Sequence, residues 1–171
     1  MFMKKILSFI LAIFFVTLLV SCNNPLPKQM PEDFSFSLQW GIWGKSYYNS
    51  ETGELIKSRY EKNEEDFKTV CFLNEDELEE VYFILYKLNL SKYDDLVIQE
   101  FDFCDPGMRF VIEVNSKDNN YKIELPEGIC RFNPHKSSRA RKIQNAIDQI
   151  TEIIYQKEEW KALPKEEKLY I

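Results

Sequence analysis

The sequence predicts an α+β domain, an antiparallel β-sheet with two main helices packed on one face. Three observations carry that expectation. Strand-like runs alternate apolar and polar residues, most strictly where Phe34, Phe36, Leu38 and Trp40 are interleaved with Ser35, Ser37 and Gln39. Two other segments carry apolar residues at helical spacing. The strands come in succession with helices between or after them, an order that favours an antiparallel sheet with its helices on one side.

The elements follow in order. After the first strand, "NSETGEL" holds a Gly-bearing turn at Thr52-Gly53 between strand-like runs near 44–49 and 54–60, and "FKTVCFL" (67–73) makes a further strand. In "NEDELEEVYFILYKLNL", Asn74 is a helix cap with Glu77 three residues later, as in a capping box. Leu78, Val81, Tyr82, Leu85 and Leu88 form the buried stripe, and Glu75, Asp76 and Glu77 lie in the first turn, where the helix dipole favours acids. Residues 96–103 read as a strand. Phe110, Ile112 and Val114 alternate before "NSKDNN", and Tyr121, Ile123 and Leu125 after it, which predicts a hairpin. A last long helix starts near Ser137, carries Ile143, Ala146, Ile147, Ile150, Ile153 and Ile154 on one stripe, and runs to about Trp160, limited by Pro164.

Ahead of this domain, residues 1–21 have the three zones of a secretory signal. Lys4 and Lys5 are a positive start, "ILSFILAIFFVTLLV" (6–20) is an apolar run, and Ser21 is a small residue before Cys22. The run is shorter than the roughly 20 residues that a membrane-spanning helix needs. Leu19-Val20-Ser21-Cys22 resembles the lipobox of bacterial lipoproteins. That resemblance implies that the Cys22 thiol receives a diacylglycerol, that the signal is cut before it, and that the new amino terminus is acylated. Two or more acyl chains anchor a protein stably where one does so only marginally. The implied location is the cell membrane or outer membrane, on its extracytoplasmic side, with the lipid bilayer as first partner. Asn23 stands where an aspartate would mark retention at an inner membrane. Residues 22–32, with Pro25, Pro27 and Pro31, read as the lipidated cysteine and an extended tether of roughly 30 Å reach. Residues 33–171 then form a single domain.

Cleavage removes two lysines and no acid, so the net charge goes from −6 to −8. An acidic chain is not suited to nucleic acid. The 13 Phe, 9 Tyr and 3 Trp supply a sizeable core, whereas five glycines leave little material for a phosphate-cradling loop. His135 is the only histidine and no C-x-x-C occurs, which excludes a His-pair zinc site; no G-x-S-x-G elbow presents a serine. The sequence implies no catalytic residue set, no metal and no cofactor.

Three clusters are candidates for binding. Trp43, Tyr47 and Tyr48 in "QWGIWGKSYYNSETG" are of the type that stacks on sugars or anchors a protein partner, whereas Trp40 continues the inward face of its strand. In "RFNPHKSSRARK", the cations Arg131, Lys136, Arg139 and Arg141 surround a helix start, where free N–H groups can receive an anion. The third is the carboxylate pair Glu100 and Asp102 on one strand face. As for the cysteines, a hairpin centred near 117 or 118 brings Cys104 opposite residues 130–132, so Cys104 and Cys130 are expected to form a disulfide. Cys71 alternates with its strand neighbours and is expected to be a buried free thiol.

The succession "FSFSLQWGIWG", "YNSETGELIK", an acidic-start helix and a closing "EEWKALP" resembles a group of small bacterial lipoproteins of uncharacterised function. The resemblance implies a class and no catalytic residues. Two functions are therefore expected to compete. One is a non-enzymatic envelope module that binds a protein or glycan through its sheet face or aromatic loop. The other is a cell-surface hydrolase acting on envelope glycans, with Glu100 and Asp102 as acid and base.

Overall fold

Strand β1 (Ser35–Trp40) sits at the centre of a six-stranded antiparallel sheet. The computed structural model describes residues 24–59, 65–93, 102–116, 119–125, 127–130 and 137–164. The sheet's other strands are β2 (Ser46–Asn49), β3 (Glu54–Lys57), β4 (Phe67–Val70), β6 (Val111–Ser116) and β7 (Asn119–Glu124), and a seventh strand, β5 (Phe103–Met108), stands outside the sheet order. The sheet order is β4-β3-β2-β1-β6-β7. β1 to β4 form a meander, and the β6–β7 hairpin returns to the free side of β1. Helices α1 (Glu75–Leu88), α2 (Ser138–Gln156) and the short α3 (Glu158–Ala162) complete the α+β fold.

Register makes one continuous inner row. Ile123 faces Ile112, Ile112 faces Leu38, Leu38 faces Tyr48 and Tyr48 faces Leu55 across five strands. All five are buried, together with Phe36, Trp40 and Val114 on the same face. Against them α1 packs Val81, Tyr82, Leu85 and Leu88, and α2 packs Ala140, Ile143, Ala146, Ile147, Ile150 and Ile154. Burying each large apolar side chain is worth about 1.5–3 kcal/mol, so this layer is the main source of stability.

Both helix starts are as expected. The Asn74 side chain accepts from the Glu77 N–H at 2.9 Å, and the Glu77 carboxylate accepts from the Asn74 N–H at 2.8 Å. Ser137 caps α2 by accepting from the Ala140 N–H at 2.9 Å. The last helix, however, does not run unbroken to Trp160. It ends at Gln156, and Lys157 is extended (ψ 140°) before α3 begins. The break lets Lys157 reach Glu77 at 2.8 Å and turns Trp160 back onto the core. There Trp160 lies 5.8 Å from Trp40 and 4.7 Å from Tyr155 between ring centres, and Trp40 Nε1 donates to the Tyr155 hydroxyl at 2.7 Å. Lys57, nearly buried, stands over the Trp160 ring and donates to the Pro164 carbonyl at 2.9 Å.

Residues 24–31 do not form the expected free tether. Leu26 is 2% exposed within the core cluster, the Asn24 amide donates to the Tyr86 carbonyl at 2.7 Å, and the Tyr82 hydroxyl donates to the Pro27 carbonyl. The segment bends at residues 25–26 and 28–29, the Asn24 side chain accepting from the Leu26 N–H at 3.2 Å, and one buried leucine is enough to fasten such a segment to the core. Residues 96–101 and His135 lie outside the described residues. The strand in this region is β5, which contains Pro106 and Gly107.

Glu77 is the joint between the two helices. Burial alone would raise its carboxyl, but hydrogen bonds from Lys157 and from the Asn74 N–H, with the lysine charge, hold it below its ordinary value of 4.5. The same bond from Glu77 raises the Lys157 ammonium above 10.5. The carboxylate thus contributes stability above about pH 4.5 that is lost as pH falls through its folded value. The lysine contributes below its ordinary value and loses that contribution as pH rises through its folded one. Replacing Glu77 by Gln should cost about 1–2 kcal/mol at pH 7 in denaturant melts. It should also flatten the fall in stability between about pH 5 and 3; an unchanged acid limb would exclude this role.

Candidate functional site

The sheet face opposite the helices is polar and open. The alternation that sends Phe36, Leu38 and Trp40 inward sends Ser35, Ser37 and Gln39 outward. On this face Gln39 stands between Tyr47 and Val111, and Tyr47 stands beside Ile56. Together with Ser37, Gly44, Lys45, Glu54 and Glu113 they line a shallow recess of about 460 Å³. Lys122 pairs with Glu113 at 3.3 Å, and Arg109 pairs with Glu124 at 2.5 Å on the strand next to it. The hydrogen bond from Arg109 holds the Glu124 carboxyl below its ordinary range.

At the rim, residues 41–44 make a turn with three left-handed residues, Gly41 (φ 88°), Trp43 (φ 55°) and Gly44 (φ 65°). Glycine adopts that region freely, but a left-handed tryptophan is uncommon and costs roughly 1–2 kcal/mol. Trp43 is nevertheless held there, 49% exposed, with the Lys45 ammonium 5.5 Å from its ring centre. Its N–H donates to the Gly107 carbonyl at 3.1 Å, and the Arg109 N–H donates to the Gly41 carbonyl at 3.1 Å. The turn is therefore clamped to β5 from both sides.

β5 is clamped in turn. The Cys104 N–H donates to the Gly128 carbonyl at 2.8 Å, the Cys130 N–H to the Asp102 carbonyl at 2.9 Å, and the disulfide Cys104–Cys130 spans a Cα separation of 5.3 Å. The pairing of these cysteines is as expected, but the register is not. Continuing the Val111–Glu124 pairing would set Phe103 opposite residue 132, yet it faces Ile129. Met108 faces the same Ile129, whereas Phe110 still pairs with Leu125, so the register is lost within β5, between Phe103 and Met108. This brings the backbones of Gly107 and Gly128 so close that a Cβ on Gly107 would lie 2.2 Å from the Gly128 Cα. Only glycine fits there.

The expected aromatic trio divides. Trp43 is exposed and Tyr47 half-buried on the recess, but Tyr48 is fully buried beside Phe36, on the helix side of the sheet. Adjacent residues of a strand point to opposite faces, so Tyr47 and Tyr48 cannot share a surface. Burial, then the neighbouring Cys71 and acids, pushes the Tyr48 phenol above its ordinary value. Arg131 and Lys136 lie outside the described residues. Arg141 is exposed in the first turn of α2, and Arg139 donates to the Lys92 carbonyl at 3.3 Å. Glu100 also lies outside the described residues, and Asp102 is not part of the recess. The recess acids, Glu54 and Glu113, are outward strand positions whose convergence requires the strand order.

Among the described residues no group of three or more His, Cys, Asp or Glu is placed to hold a metal ion, and no helix is long and apolar enough to cross a membrane. No protein-family model matches the chain, and no curated protein matches it.

Cys71 is 1% exposed, and burial, followed by the Glu159 charge, pushes its thiol up to about 11. Apart from Cys22, the native unreduced protein should therefore show no thiol reactive at pH 8, and the denatured unreduced protein one. The double replacement Cys104→Ser with Cys130→Ser reopens a 26-residue separation and should cost about 3 kcal/mol in denaturant unfolding. Three thiols in the denatured unreduced protein, again apart from Cys22, would exclude the disulfide.

Proposed function

We propose that this chain is a lipid-anchored protein of a bacterial envelope that binds rather than catalyses, and that its contact surface is the recess with Trp43 at its rim. The left-handed, half-exposed Trp43 carries the reading. Strain at an exposed aromatic is retained against an available relief, since glycine at this position would remove it. Strained and exposed aromatic positions concentrate where a partner is gripped.

Envelope glycan is the ligand class that suits the surface best. An aromatic face next to a shallow, hydroxyl-, amide- and carboxylate-lined depression offers stacking and several hydrogen bonds at once. A protein partner would use the same aromatic anchor. The lipobox-like Leu19-Val20-Ser21-Cys22 supports anchoring on the outer side of the cell membrane or at the outer membrane.

Two measurements test the reading. Replacing Cys22 by Ser should move the protein from the detergent phase to the aqueous phase of a detergent partition. Replacing Trp43 by Gly should leave the protein as stable or about 1 kcal/mol more stable, because glycine tolerates the turn. The same change should weaken binding of soluble peptidoglycan fragments at least about tenfold, the cost of losing one stacked aromatic anchor. Binding untouched by Trp43→Gly would move the contact elsewhere, and cleavage of the fragments would replace a binding module by a hydrolase.

A further inference from the structure

Helices α1 and α2 are antiparallel, so that the start of each lies at the end of the other. Lys157 after α2 bonds Glu77 in the first turn of α1, and Arg139 at the start of α2 bonds the Lys92 carbonyl just past α1. Their charges are sorted by end. The last turn of α1, the 3-10 turn Leu90–Lys92 and the first two turns of α2 carry Lys87, Lys92, Arg139, Arg141 and Lys142 and no acid. The opposite end carries Glu75, Asp76, Glu77, Glu79 and Glu80 in α1, with Glu152, Glu158 and Glu159 from α2 and α3, against Lys157 and Lys161. Asp94 and Asp95, next after Tyr93, lie outside the described residues.

Two features say what the basic end meets. Cations at the start of a helix oppose its dipole, and α2 opens with Arg139, Arg141 and Lys142 without a single acid in its first turn. Arg139 is turned to the Lys92 carbonyl, and Arg141 and Lys142 are exposed to whatever this end of the domain faces. The chain also enters the fold here. Asn24 is fastened to the Tyr86 carbonyl in the last turn of α1, one residue from Lys87. Only Asn23 separates Asn24 from Cys22, so two residues, about 7 Å of extended chain, lead from the lipid site to this point. That is less than the Debye length of about 8–10 Å at 0.1–0.15 M salt.

We infer that the basic end of the α1–α2 pair is the membrane-facing surface of the domain and rests on an anionic bilayer, with the acidic end directed away from it. The inference rests on the anchoring reading above and adds an orientation to it. The acyl chains hold the domain at the surface, and the cations select which end faces the headgroups. An acidic protein lying on an anionic leaflet is repelled over most of its surface, and among the described residues of the helix pair this end is the one that carries cations without acids.

The test uses the full lipidated protein, purified from membranes and reconstituted into vesicles of phosphatidylcholine with or without phosphatidylglycerol. A fluorophore is placed at Lys92→Cys or at Glu158→Cys, sites separated by roughly the 20 Å length of α1, and a quencher is attached to lipid headgroups. Native Cys71 is buried and does not label. Quenching should be several-fold stronger at position 92 than at 158 in anionic vesicles, and the difference should shrink in zwitterionic vesicles and at about 1 M salt, where the Debye length is about 3 Å. Combining Lys87→Glu, Lys92→Glu, Arg141→Glu and Lys142→Glu, with the fluorophore moved to Ser91→Cys, should remove the preference while the protein stays vesicle-bound. Equal quenching at both ends of a lipidated, vesicle-bound protein, or a preference indifferent to salt, overturns the orientation and leaves anchoring intact. Absence of the diacylglyceryl group from the amino-terminal peptide, read by mass, overturns the anchoring reading itself.

Discussion

The two-faced character of β1 is the constraint on which the rest of the molecule depends. It is the strand with neighbours on both sides in the sheet where the two halves of the chain meet, β2 from the meander and β6 from the later hairpin. Its inward residues Phe36, Leu38 and Trp40 are at most 3% exposed and require a cover across their whole length. α1 and α2 supply it over the middle of the sheet. At the Trp40 end the cover comes from Tyr155 in the last turn of α2 and from Trp160, which reaches Trp40 because the helix breaks at Lys157. A straight helix would carry Trp160 past the sheet and leave Trp40 with Tyr155 alone.

The same break closes an electrostatic joint. Lys157, freed from helical geometry, reaches the carboxylate that already caps α1, so Glu77 serves its own helix and the end of the other one. Surface ion pairs are usually worth little, but this one is mostly sheltered and shares its carboxylate with a capping bond. Helix capping, helix pairing and the closing aromatic cluster therefore rely on a short stretch of irregular backbone at 157.

Local patterns were legible in the sequence wherever one residue's neighbours decide its fate. The β1 alternation, the Asn74–Glu77 capping box, the α2 stripe and the buried Cys71 are all of this kind. What was illegible depended on distant partners. Leu26 reads as part of a proline-rich tether until the groove beside α1 exists to receive it. The break at Lys157 has no glycine or proline to announce it, and the partner that Lys157 meets there, Glu77, is far away in the chain. β5 contains Pro106 and Gly107, residues that count against a strand, and it holds because Gly128 and the Trp43 turn bond it on either side. Tyr48 was a different case, because strand alternation alone separates it from Tyr47. At the site, Trp43 could be picked out by its glycine neighbours, whereas Glu54 and Glu113 converge only through strand order.

The candidate contact turn is built in a chain of dependencies. The Cys104–Cys130 disulfide and two backbone hydrogen bonds hold β5 to residues 128–130; β5 holds the 41–44 turn through Gly107 and Arg109; the turn holds Trp43 in a conformation that it would not adopt alone. A side chain kept in an unfavourable backbone region needs surroundings that over-determine it. Here they are secured covalently, by a bond that persists in an oxidising compartment and not in a reducing cytosol. The turn therefore has its full support only while Cys104 and Cys130 are joined. The conformation of Trp43 is in this way coupled to the redox state of the two cysteines. With Cys104 and Cys130 reduced, β5 has only its hydrogen bonds to stand on, and the strained turn is the first element to lose its support.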